Sequence, residues 1–82
     1  MMDVTGRVLF IDKLCSPDKI IVFSIEGKRL IIEVFQMNED MDKVISKIIL
    51  LNEEYIEIIR LNKTKFIAKG TTENNIYVIQ AS

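Results

Sequence analysis

The stretch from Ile20 to Gln36, IIVFSIEGKRLIIEVFQ, limits the fold more than any other part of this sequence. If Gly27-Lys28 forms a two-residue turn, the flanking runs pair as a β-hairpin. One face then matches Ile25 with Leu30, Phe23 with Ile32 and Ile21 with Val34, and is wholly apolar. The other matches Glu26 with Arg29, Ser24 with Ile31, Val22 with Glu33 and Ile20 with Phe35. A one-residue slip would exchange the two faces, so this register is the one that sorts a core side from an outer side. Phe23, Ile25, Leu30, Ile32 and Val34 are therefore expected to be buried, while Ile31, Glu33 and Phe35 are expected to face outward.

The remaining segments are read around this hairpin. VTGRVLFIDKL, from Val4 to Leu14, alternates as a strand, with Val4, Gly6, Val8 and Phe10 on one face and Thr5, Arg7, Leu9 and Ile11 on the other. Gly6 either is merely tolerated there or marks a bend or a close backbone approach. KLCSPDK, residues 13 to 19, holds the only proline and reads as a loop. From Asn38 the apolar residues Met41, Val44, Ile45, Ile48 and Leu51 recur at spacings of three and four, which predicts a helix of three to four turns. Asn38 would cap it, Glu39, Asp40 and Asp42 would suit the positive end of its dipole, and Asn52 would close it. A metal site at these three acids is the weaker reading, because no glycine-bearing calcium loop accompanies them. EYIEIIRL, from Glu54 to Leu61, alternates again. TKFIAKG follows a polar break at Asn62-Lys63, so the two runs form one bent strand or two short ones. TTENN, residues 71 to 75, reads as a turn before a last strand in IYVIQAS.

Eighty-two residues suffice for a single domain, residues 1 to 82, with one core. No apolar run reaches the length of a membrane span, so no membrane partner is expected, and MMDVTGRV lacks the pattern of a secretion signal. An intracellular location, cytoplasmic or nuclear, follows as an expectation. With no histidine and a single cysteine, Cys15, the chain lacks the usual base and the commonest metal ligand. Asp12, Cys15 and Asp18 lie close in sequence, but nothing there activates the thiol. Neither an enzyme, nor a metal, nor a cofactor is expected. The net charge of -1 is unevenly distributed: residues 37 to 57 carry two basic and six acidic side chains, and residues 58 to 82 four basic and one acidic. A local basic patch can steer a polyanion under a neutral total.

The expected order, strand-strand-strand-helix-strand-strand with a glycine in the first strand, resembles the OB-fold. The likeness is carried by VTGRVLFIDKL, KIIVFSIEGKRLIIEVF and EEYIEIIRLNKTKFIAKG. It implies a mostly-β, five-stranded barrel plugged at one end by Met41, Val44, Ile45 and Ile48, similar to the small OB subunits of replication protein A-like or telomere-capping complexes. It also implies a role in DNA maintenance or replication, with single-stranded DNA or RNA as partner. Lys13, Lys19, Lys65 and Lys69 would then border the groove, with Lys28 and Arg29 at the hairpin tip. The hairpin register offers Phe35 as a stacking platform, and Phe66 and Tyr77 are further candidates. The same outer face carries Ile20, Val22, Ile31 and Phe35, which suits contact with partner subunits or a homo-oligomer. Two functions are thus expected: single-strand binding, weak in the isolated domain, or assembly with other protein chains. The order of elements also accommodates another small barrel or an α+β fold.

Overall fold

A computed structural model of the chain describes residues 4–14, 18–54, 56–70 and 76–80. Among them the only regular elements are seven strands: β1 (Arg7–Lys13), β2 (Lys19–Glu26), β3 (Arg29–Gln36), β4 (Lys43–Leu50), β5 (Ile56–Arg60), β6 (Lys65–Gly70) and β7 (Ile76–Gln80). They form two antiparallel meanders, β1-β2-β3-β4 and β5-β6-β7, here called sheets A and B. The segment at residues 71 to 75, expected as a turn, and Cys15 and Pro17 lie outside the described residues.

The hairpin forms in the expected register, from Ile20 opposite Phe35 to Glu26 opposite Arg29. Gly27, at φ 62°, supplies the positive φ that the first central position of a type II′ turn requires. Lys19, opposite Gln36, extends the ladder, and the Gln36 side chain donates to the Asp18 carboxylate at its open end.

The expected helix is replaced by β4, and with it the five-stranded OB-like barrel is overturned. Apolar residues at 44, 45, 48 and 49 satisfy a helical spacing, but all four are β-branched and suit an extended strand better. The exposed edge of β3 also needs a partner, and β4 pairs with it from Arg29 opposite Leu50 to Phe35 opposite Lys43. Asn38 caps a turn here rather than a helix. Its Oδ1 accepts from the Asp40 N–H at 3.1 Å, its amide donates to Asp42 at 3.2 Å, and Met41 takes a left-handed φ of 51°. Met41, Val44, Ile45 and Ile48 therefore plug no barrel: Ile45 and Ile49 pack against the core from a strand, while Val44 and Ile48 are exposed.

The two runs after residue 54 are separate strands. Asn62 folds the connection by accepting from the N–H groups of Thr64 at 3.0 Å and Lys65 at 2.8 Å, as Asx turns do. No barrel closes, because β1 and β5 approach without a ladder between them and the far edges β4 and β7 end their sheets. One core nevertheless spans both sheets, joining Ile21, Phe23, Leu30, Ile32 and Val34 to Ile56, Phe66, Ala68 and Ile79. Rings of Phe23 and Phe66 meet across it at 5.0 Å.

In β1 a bulge between Val8 and Phe10 alters the expected faces. Phe10 sits opposite Phe23 on the core side, whereas Val8 sits opposite Ser24 and Ile11 opposite Val22 on the other. One extra residue in a strand shifts every later side chain to the opposite face. Gly6 precedes the bulge at φ 81°, and a Cβ there would lie 2.6 Å from the Ile25 carbonyl oxygen. Of its two readings, the close backbone approach is the one seen.

Candidate interaction surface

The face of sheet A turned away from the shared core is apolar as well. Val22, Ser24, Ile31, Glu33 and Phe35 occupy its middle strands and are all buried, although none belongs to the inter-sheet core. Glu33 is 1% exposed; one carboxylate oxygen pairs with Lys43 of β4, and the other has no hydrogen-bond partner among the described residues. The Lys43 ammonium also lies 5.8 Å from the Phe35 ring centroid, near enough for cation–π attraction. Around this floor stand Val8 and Ile11 of β1 and Ile48 and Leu50 of β4, between 47% and 77% exposed. Exposed apolar side chains grouped along the margins of one face are a surface suited to another chain.

This placement bears on each residue singled out in the sequence. Ile20, Val22, Ile31 and Phe35 share the outer face, as the register predicts. Ile20 is half-buried and the other three are buried, so they form the floor, and the accessible apolar surface belongs to Val8, Ile11, Ile48 and Leu50. Ile48 was hidden by the helical reading, and Val8 and Ile11 by the bulge. Continuous rather than alternating apolar runs in β2 and β3 were the available signal, because strands buried on both faces lose their alternation.

The basic residues form no single group: Lys13, Lys19 and Lys65 lie toward the end where Arg60 of β5 meets Lys13, and Lys28 and Arg29 lie at the other end of sheet A. Lys65 and Lys69 are on β6 in sheet B, with Lys69 opposite Glu57. Phe66 is buried between the sheets and Phe35 within the floor, so neither ring has an open face. Tyr77 is half-buried opposite Ala68. Among the described residues no Phe or Tyr is exposed.

Where β1 and β5 run side by side, Arg60 clips the sheets together. Its guanidinium donates to the Asp12 carboxylate at 2.9 Å and to carbonyl oxygens of Lys13 at 2.6 Å, Asn62 at 3.1 Å and Lys63 at 3.0 Å, and it lies over the Phe66 ring. One planar fork serving four acceptors is a role lysine cannot fill. Beyond the clip the strands diverge into an open cleft of about 560 Å³ lined by Arg7, Val8, Leu9, Ile56, Glu57 and Ile58. The Asp12 carboxyl is held below the ordinary aspartate range, chiefly by the Lys13 backbone N–H and then by Arg60. A carboxylate with a depressed folded-state pKa stabilises the fold above its unfolded pKa, and that contribution disappears as pH falls through the folded value. Asp12→Asn should therefore lower the urea midpoint at neutral pH and converge with the parent in acid. A constant difference across that range would mean the carboxylate charge plays no part.

Among the described residues no group of three or more potential ligands is placed to hold a metal ion, and no helix is long and apolar enough to cross a membrane. Compared with family models, with curated proteins and with solved structures, the chain matches none.

Proposed function

We propose that this chain is a protein-assembly module that docks other protein through the outer face and open edge of sheet A. The observation that carries this reading is the exposed apolar rim of Val8, Ile11, Ile48 and Leu50 around a buried apolar floor, continuous with the unpaired edge of β4. Removing such a rim from water favours association by roughly 25 cal/mol for each Å² of apolar surface buried, and an open strand edge adds backbone hydrogen bonds. Single-strand binding is the weaker reading. It needs aromatic platforms beside a basic groove, and among the described residues no Phe or Tyr ring is exposed.

The test is a photo-crosslinking residue placed at Ile48, with Lys69 on sheet B as the comparison site, in cells that make the chain. The expected result is a covalent protein adduct from position 48, identified by mass, and little from position 69. Adducts sensitive to nuclease, or an absence of protein adducts at position 48, would remove the assembly reading.

A further inference from the structure

Strand β4 is eight residues long and, among the described residues, hydrogen-bonded on one side only. It contains neither proline nor glycine, and of its two lysines Lys43 is drawn onto Glu33 beside the bulge, leaving Lys47 as the free charge along its length. Exposed strand edges are usually blunted, because their free N–H and C=O groups pair with any strand that fits. Here Val44, Ile48 and Leu50 are exposed along that edge. The charges at its two ends are opposite in sign. Beside its start lies the turn bearing the exposed acids Glu39, Asp40 and Asp42. Beside its end lies the hairpin tip with Lys28 and Arg29: Arg29 sits opposite Leu50, and the Leu51 N–H donates to the Lys28 carbonyl at 2.8 Å. Among the described residues neither Lys28 nor Arg29 has an ion-pair partner.

An edge that is acidic at one end and basic at the other is complementary to itself when reversed. Resting on the assembly reading above, we infer that the partner on this edge is a second copy of the same chain, paired antiparallel along β4 about a two-fold axis, so that sheet A continues as one eight-stranded sheet. A two-fold normal to the sheet keeps the apolar face on one side in both copies and must pass through a residue paired with its own equivalent. Centring on Lys47 would set two ammonium groups directly opposite, which is destabilising. Centring on Ser46 avoids this and sets Val44 against Ile48 of the second copy, twice over. The acidic turn of each copy then lies two strand spacings, roughly 10 Å, from the basic tip of the other, within reach of the long cationic side chains.

Sedimentation equilibrium of the purified chain should give twice 9.5 kDa at high concentration, dissociating on dilution. With Cys15→Ser removing the native thiol, Ser46→Cys should oxidise to a covalent dimer, because residues directly opposite have Cα atoms about 4.5 to 5.5 Å apart, within disulfide range. Lys69→Cys in the same background should stay monomeric. Lys28→Glu with Arg29→Glu should raise the dimer Kd by about tenfold or more through like-charge contacts, and adding Glu39→Lys should recover part of the loss. A mass of 9.5 kDa at every concentration, or a dimer indifferent to the tip reversal and to Ser46→Cys, would overturn the inference. If the chain is monomeric but a different protein is still captured from position 48, the second copy is ruled out and the assembly reading stands.

Discussion

Phe23→Ala should cost about 3 to 5 kcal/mol of stability, the range for deleting a well-packed core aromatic. Phe23 has no exposed surface and sits in the middle of β2, opposite Phe10 of β1 and Ile32 of β3. Its ring lies 6.1 Å from that of Phe10 and 5.0 Å from that of Phe66 in sheet B, so truncation opens a cavity at the junction of both sheets. Native domains are stable by only about 5 to 15 kcal/mol, and a chain of this size buries a smaller fraction of its surface than a larger one. A fall in Tm of roughly 12 to 40 °C follows at 4 to 8 °C per kcal/mol, so the variant should be substantially unfolded near physiological temperature. Thermal melts followed by circular dichroism would check this. Combined with Phe66→Ala the losses should be less than additive, because the second truncation removes a contact already lost. If Phe23→Ala melts within a few degrees of the parent, the two sheets do not share the core described above.

The hairpin was legible because three constraints coincide there: a turn glycine, a wholly apolar face and an opposite-charge pair at the tip. Agreement among local signals of this kind marks an element as strongly specified. β4 was misread because Met41, Val44, Ile45, Ile48 and Leu51 recur at helical spacing, although Val44, Ile45, Ile48 and Ile49 are all β-branched and favour an extended chain. The deciding fact was long-range, the need of the β3 edge for a partner. The β1 faces were misread for a different reason, since a bulge has no signature in a continuous apolar run such as VLFI. Of the candidate interface, the shared face of Ile20, Val22, Ile31 and Phe35 could be read from the register. Their burial, and the exposure of Val8, Ile11, Ile48 and Leu50 around them, depends on which strands flank the hairpin. Of the cations expected around one groove, Lys28 and Arg29 occupy the hairpin tip and so lie at the far end of sheet A from Lys13 and Lys19.

Lys43→Met should destabilise the chain by about 2 to 3 kcal/mol, less than the 3 to 5 kcal/mol for breaking a fully buried pair, because the Lys43 side chain is 38% exposed and solvent screens part of the attraction. What it leaves behind is the greater cost: Glu33, almost wholly buried among Val22, Ile31 and Phe35, would lose the one ion-pair partner it has among the described residues, where its other oxygen has no hydrogen-bond partner. Glu33→Leu should cost less than Lys43→Met, since the freed lysine can extend to water and an apolar side chain suits the floor. The double variant should come close to the parent in urea midpoint, and a Lys43→Met midpoint equal to the parent would show that the pair contributes nothing. The pair also has a geometric role. It joins β3 to β4 beside the bulge at Val34 and Phe35, drawing Lys43 rather than Val44 opposite Phe35. With that tie removed the ladder can continue from Val34 and Ile45 without the bulge, which sets Val44 rather than Lys43 opposite Phe35 and on the outer face that Ile48 already shares. The double variant should therefore stay close to the parent in stability and still dimerise in sedimentation, separating the buried pair from the surface that the edge of sheet A presents. A double variant that is monomeric while folded would show that the pair shapes that edge.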